Sequence, residues 1–470
     1  MPKNILIFAD GTGQVGGMRP DQQLSNVYKL FRATRIGPDS PIDPTLQVSY
    51  YDPGLGTANA SGSVRVGAWE RLKSLGGLAI GLGFSGNVID CYEAILKRYE
   101  PGDRIYLFGF SRGGYTVRSL ANVLNLCGVP TTDGNGGPLP RTGRALRAIA
   151  TEAVKKVYEH GAGHPRGKFE TQREAIAQRF RAKYGAGTDP NRGDVYPEFI
   201  GVFDAVAALG LPLGVRIAAA TGYLIFSTLV GATVGWASQI WLGWSGIGVA
   251  IAVIVACWVA MAIVYVRATL RSAPKELRGA TRRRHLAMWT SKNYDQFLDP
   301  RIPNVRHALA IDETRVQFGR VKWGGSRNNA QVIEDRFQQR WFPGNHSDIG
   351  GSYPEEESRL SDISLQWMVE QATSVPNPII VDPDKLHLYP DPLGPQHSEV
   401  FAQQQGPWWK RRPAWPSAPR YIHEEADLDP SVLARFSAAC VVDCDLISPY
   451  RPEALLGHKD LAAYFPKGEA

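Results

Sequence analysis

The 470-residue chain is 44% hydrophobic and 10% aromatic, enough apolar material for a large core and one to three domains, which excludes a disordered or fibrous chain. Its 52 Lys+Arg against 45 Asp+Glu leave a net charge of +7. Much of the excess lies between Arg267 and Arg284, directly after a long apolar segment, so it points to a membrane surface and away from nucleic acid. The cysteines Cys91, Cys127, Cys257, Cys440 and Cys444 are odd in number and scattered, which excludes a disulfide scaffold and predicts free thiols. Cys440 and Cys444 have no second pair and no nearby His, so no zinc site and no cofactor are expected.

The chain enters the apolar run Ile5 to Phe8 almost at once, with no basic segment or cleavage site ahead of it, so no secretory leader is expected. Residues 4–9 read as a buried strand ending in the turn Asp10-Gly11-Thr12-Gly13, and Gln47 to Tyr51 as a second strand before Pro53-Gly54-Leu55-Gly56. Gly81, Gly83 and Gly86 spell a dinucleotide-binding pattern, but no strand precedes them, so cofactor binding is not expected. A helix over 87–99 follows, stopped by Pro101-Gly102-Asp103 before a strand over 104–110 and a helix over 116–126. Glu198 to Phe203 reads as another strand and Arg340 to Phe342 as a short one. Strands alternating with helices predict a mostly parallel α/β sheet with helices on both faces.

From Ile217 to Val266 the sequence holds no Asp, Glu, Lys, Arg or His. One bilayer crossing needs about 20 apolar residues, so this segment predicts two membrane helices joined at Gly243-Trp244-Ser245-Gly246. Trp241 and Trp244 are placed at the far interface, Tyr223 and Tyr265 nearer the entry side, and Gly231, Gly235, Ala252, Ala256 and Ala260 supply small residues for close helix packing. A buried helical pair in a soluble fold is the competing reading. A hairpin returns the chain to its starting side, and its Arg-rich exit puts that side in the cytoplasm. The expected organisation is a first core part over 1–212, an inserted hairpin over 213–271 and a second core part with C-terminal loops over 272–470. The stretch Gly406 to Arg420 reads as a surface loop.

Gly109-Phe110-Ser111-Arg112-Gly113 is a G-x-S-x-G sequence between a strand and a helix. That context places a serine hydroxyl on a sharp turn at the carboxyl edge of a sheet, with small residues at Gly109 and Gly113 and the Arg112 N–H aimed at a developing oxyanion. Such a serine needs a base, and the base an orienting acid, in the chain order Ser, Asp or Glu, His. Asp204 ends a strand, and His346 alone among the histidines sits in a glycine-flanked turn after one; His285 and His307 read as lying in basic helical stretches.

Asp10-Gly11-Thr12, Pro101-Gly102-Asp103, the elbow 108–113, Val202-Phe203-Asp204-Ala205-Val206, Ala308 to Glu313 and Trp341 to Gly351 together resemble the catalytic domain of bacterial type VI secretion lipase effectors of the first class, from about residue 4 to 455. The resemblance implies an α/β-hydrolase fold, a phospholipase activity on membrane phospholipid, and a Ser-Asp-His triad carried by Ser111, Asp204 and His346. If the chain is a delivered toxin, it also implies a secretion-apparatus or immunity-protein partner. The family usually has Trp-Asp-Thr where this chain has Phe203-Asp204-Ala205, which keeps the acid and loses a hydroxyl.

On this reading Ser111 attacks an ester carbonyl, His346 takes its proton, and Asp204 holds the imidazole. The Arg112 N–H and an N–H of Gly11 or Thr12 hold the oxyanion. The hairpin starts shortly after Asp204, which ties the reactive edge to the bilayer and favours a lipid ester. Two rivals are a metal-dependent hydrolase using Asp10, His346 and Asp348, and a non-catalytic membrane toxin or anchor with a vestigial fold.

Overall fold

The computed structural model describes residues 2–11, 23–54, 82–187, 189, 191–206, 213–273, 284–289, 294–321, 323, 336–404, 415–444 and 446–465. Thr12, Gly81 and most of the Arg-rich exit from the hairpin lie outside these residues.

A six-stranded, all-parallel sheet forms the centre. Its strands are β1 (Asn4–Ala9), β2 (Gln47–Asp52), β3 (Arg104–Phe110), β4 (Phe199–Phe203), β5 (Asn304–Ala310) and β6 (Phe337–Phe342). They lie in the order β2-β1-β3-β4-β5-β6. β1 is a near-continuous apolar run because a parallel sheet is covered on both faces. Ile5, Ile7 and Ala9 pack into one core with α2 (Leu82–Arg98), α3 (Arg112–Cys127), α4 (Gly143–Thr151) and α5 (Glu170–Tyr184). Leu6 and Phe8 pack into the opposite core with α1 (Asn26–Thr34) and α9 (Arg359–Thr373). A third cluster joins Leu309, Ile311 and Trp341 to α10 (Pro430–Ser437) and the chain through Leu461.

Strand order reverses between β1 and β3. In open α/β sheets such a reversal leaves a crevice beyond the carboxyl ends of the two strands. Gly11 follows β1 and Ser111 follows β3, so both meet there.

The apolar segment forms α6 (Leu213–Leu242) and α7 (Gly246–Thr269), which pack against each other with the turn at 243–245. They are not core helices: the chain buries 11% of one apolar window and 0% of the other, and Trp241 is 83% exposed. A Cβ on Gly231 would sit 2.8 Å from the Ala250 carbonyl oxygen, and one on Gly235 would sit 2.3 Å from that of Gly246. The small residues at the contact are therefore Gly231, Gly235, Gly246 and Ala250. Ala252, Ala256 and Ala260 are exposed instead. The Tyr223 hydroxyl donates to the Cys257 carbonyl at 2.8 Å and so ties the two helices together.

Two histidines differ from expectation. His307 lies in β5 and His285 in the short strand Arg284–Leu286, not in helices. Gly86 lies inside α2, so the glycine pattern opens no strand-turn-helix unit among the described residues. All five cysteines are unpaired.

Candidate active site

Ser111 caps α3 with φ 57° and ψ −122°, a conformation costly for a residue with a side chain. The turn closes because its flanks are glycine. A Cβ on Gly109 would lie 2.5 Å from the Gly113 carbonyl oxygen, and one on Gly113 would lie 2.0 Å from that of Ala9. The turn is bonded to the end of β4: the Ser111 N–H donates to the Phe203 carbonyl at 3.0 Å, and the Val206 N–H to the Ser111 carbonyl at 3.3 Å. Arg112 opens α3, whose first N–H groups have no partner within the helix.

Asp204 is fully buried and also has a positive φ, 36°. It accepts from His346 Nδ1 at 2.6 Å, from Arg420 Nη1 and Nη2 at 2.6 and 3.0 Å, and from the Ala310 N–H at 3.1 Å. Burial alone would raise its pKa, but the Arg420 guanidinium and then the His346 hydrogen bond outweigh burial and hold the carboxyl well below the usual range.

His346 is the first residue of α8 (His346–Gly350), whose N-terminus is fixed by a capping box between Asn345 and Asp348. Its ring lies between Phe110 (centroids 4.7 Å apart) and Phe318 (5.0 Å). Phe110 immediately precedes Ser111. An ionised Asp204 can only accept, so Nδ1 is the donor in this bond. Nε2 is buried and has no hydrogen-bond partner among the described residues. A ring held in this way can act as a general base.

Gly11 adjoins the elbow, since a Cβ there would lie 3.4 Å from the Ser111 Cβ. Its N–H is already engaged, donating to Asp10 Oδ1 at 2.7 Å. Asp10 also accepts from Ser25 Oγ at 2.5 Å and from the Tyr51 hydroxyl at 2.6 Å. Burial raises its pKa to about 6 against those three bonds.

Asp10, His346 and Asp348 are not gathered into one ligand set. Asp348 accepts from the Asn345 N–H and from His397, which also reaches Glu357, while His346 is turned to Asp204. No cluster of three or more His, Cys, Asp or Glu suited to a metal ion occurs among the described residues. Asp312, a half-buried carboxyl, accepts from the Gly344 N–H and the Tyr450 hydroxyl.

Arg420 was not expected here. It ends the Trp- and Pro-rich stretch read as a surface loop, yet its side chain is 7% exposed and donates to Asp204 and to the carbonyls of Ala310 and Phe318. A single arginine in a loop carries no sequence signal for this role.

The sequence matches the family described as T6SS, Phospholipase effector Tle1-like, catalytic domain, over residues 3–239 and 255–371. The unmatched interval between these spans contains the turn between α6 and α7. Among curated proteins, an uncharacterized protein of Saccharomyces cerevisiae is 32% identical over 130 residues, 27% of this chain and 18% of that protein. Among solved structures, the crystal structure of an uncharacterized protein from Pseudomonas aeruginosa aligns with 16% identity and a TM-score of 0.35, covering 83% of this chain and 48% of that one. The chain thus spans less than half the length of either protein.

Proposed function

The chain belongs to the family of Tle1-like type VI secretion phospholipase effector catalytic domains, and from that premise we propose that it is a serine hydrolase of the α/β-hydrolase type that cleaves carboxylic esters of membrane phospholipids. The observation that carries this reading is the 2.6 Å bond from His346 to Asp204, with the other ring nitrogen buried beside the residue that precedes the strained Ser111.

In the proposed reaction Ser111 Oγ attacks the ester carbonyl while His346 Nε2 takes its proton. Asp204 stays ionised and stabilises the imidazolium. The tetrahedral oxyanion is held by the Arg112 N–H at the head of α3 and by an N–H of the Gly11–Thr12 turn. The Gly11 N–H can serve only if it turns from the Asp10 carboxylate to the oxyanion. Collapse expels the alcohol half, a lysophospholipid, which takes the proton from His346. Water then attacks the acyl-enzyme, again with His346 as base, and releases the fatty acid.

The hairpin α6–α7 is read as crossing the bilayer and returning, with the hydrolase core on the cytoplasmic side. Its length and its exposure support a membrane over a core role. A secretion apparatus and an immunity protein are the partners of this reading if the chain is delivered to another cell.

The test is fluorophosphonate labelling together with lipid hydrolysis. Ser111→Ala should lose the label and at least about a thousandfold of the fatty-acid release, and His346→Ala and Asp204→Asn should each cost nearly as much without adding to it. Unlabelled wild type whose turnover is removed by chelators, or full turnover in Ser111→Ala, would overturn the assignment.

A further inference from the structure

A cavity of about 530 Å³ opens where α7 returns to the globular part of the chain. Lys155, Lys156, Arg179, Arg267 and Arg271 line it, with Ile176, Ala268 and Leu270 as apolar wall. Among the described residues at least two carboxylates partly offset these cations, and Arg179 has a partner of its own. Glu159 pairs with Lys155 at 3.3 Å and with Arg271 at 3.3 Å, and Glu152 pairs with Lys156 at 3.4 Å. Arg267 has no ion-pair partner among the described residues, and the side of the cavity stays cationic. A second cavity shares Lys155 and Lys156 and adds Arg144 and Arg147, extending the same basic face.

Position gives this charge its meaning. α7 has 24 residues, about 36 Å at 1.5 Å per residue, and a hydrocarbon layer is about 30 Å thick. If Gly246 lies at the far surface, Arg267 and Arg271 lie in the near headgroup layer, at the helix end whose free carbonyls favour cations. None of the residues around Ser111 lines the cavity. We infer that this cavity binds the phosphate-bearing headgroup of an anionic membrane lipid, a site separate from the reactive edge that fixes how the protein sits on the bilayer. The inference rests on the bilayer-spanning reading of α6–α7. Guanidinium groups match phosphate oxygens in pairs, the lysines add point charge, and Ala268, Leu270 and Ile176 suit the glycerol and the first acyl carbons.

The experiment uses the full chain purified in neutral detergent, titrated with ether-linked lipids, which a carboxylic-ester hydrolase cannot cleave. Dialkyl phosphatidylglycerol should bind about 30- to 150-fold more tightly than dialkyl phosphatidylcholine, the scale expected when two to three cations each contribute at a membrane surface. Lys156→Gln/Arg179→Gln/Arg267→Gln should abolish the preference. Arg32→Gln/Lys459→Gln, which removes exposed charge elsewhere, should keep it. Equal binding of both lipids, a preference that survives the triple substitution, or displacement of phosphatidylglycerol by equimolar inorganic phosphate would overturn the lipid assignment. Recovery of the chain with neutral phosphatidylcholine vesicles reports separately on the hairpin. A chain that stays soluble without detergent and does not float with such vesicles would sink the membrane reading, whatever the titration gives.

Discussion

Arg420 acts together with His346 to favour the ionised form of Asp204 against burial. Its two bonds to the carboxylate, with 7% of its side chain exposed, make a buried pair, and removing one partner of such a pair typically costs about 3–5 kcal/mol because the other charge stays behind. Asp204 has a depressed folded-state pKa, so its contribution to stability is present above the unfolded value of about 3.9 and is lost as pH falls through the folded one. Arg420→Ala should therefore raise the pKa of Asp204 and move the acid limb of the activity profile upward in pH, with a lower kcat. Arg420→Lys keeps the charge but not the fork, so it should restore the pH limb more than the rate. A pH-rate profile in which both variants match wild type would remove Arg420 from the site. Nothing in the sequence marks this residue, and it lies beyond residue 371, where the family match ends. Ser111, Asp204 and His346 could be singled out because each sits where a strand runs into a turn. Arg420 sits in a loop, and only the folded chain brings it to Asp204.

Among the elements, β1 to β4 could be read directly as apolar runs between turn residues. β5 could not, because Arg306 and His307 interrupt it. The structure shows how they are tolerated: Arg306 donates to Gln371 and to the carbonyls of Val305 and Arg336, and His307 Nε2 accepts the Ala205 N–H at 3.2 Å. In the apolar pair the existence and length of both helices were legible, but not which face of α7 meets α6. Four-residue spacing occurs on more than one face, and contact alone selects between them. Gly235→Leu should force α6 from α7, and Ala256→Leu, on the exposed face, should leave the pair intact. Cysteine cross-linking between the helices checks this, and equal loss in both variants would mean the pairing is wrong.

At the scale of the whole molecule, β4 and β5 are neighbours in one sheet although α6 and α7 lie between them in sequence. The hairpin is thus an insertion in a crossover and leaves from the edge that carries Ser111 and Asp204. Joining Leu213 to Leu270 with a short Gly/Ser linker keeps the strand Leu270–Ser272, which pairs with Arg284–Leu286. The product should be a soluble protein that hydrolyses short water-soluble esters, with its activity on bilayer lipid reduced far more. An unchanged ratio of the two activities would mean that the hairpin does not deliver substrate. The same edge also bears on how natural selection treats this chain. Ser111 and Asp204 are both side-chain-bearing residues at positive φ, and strain of this kind costs on the order of 1–3 kcal/mol at each site. A lineage released from the need to react would find stability within one codon change, since glycine relieves the backbone at Ser111. Copies that have drifted to Ser111→Gly should therefore melt above the active form.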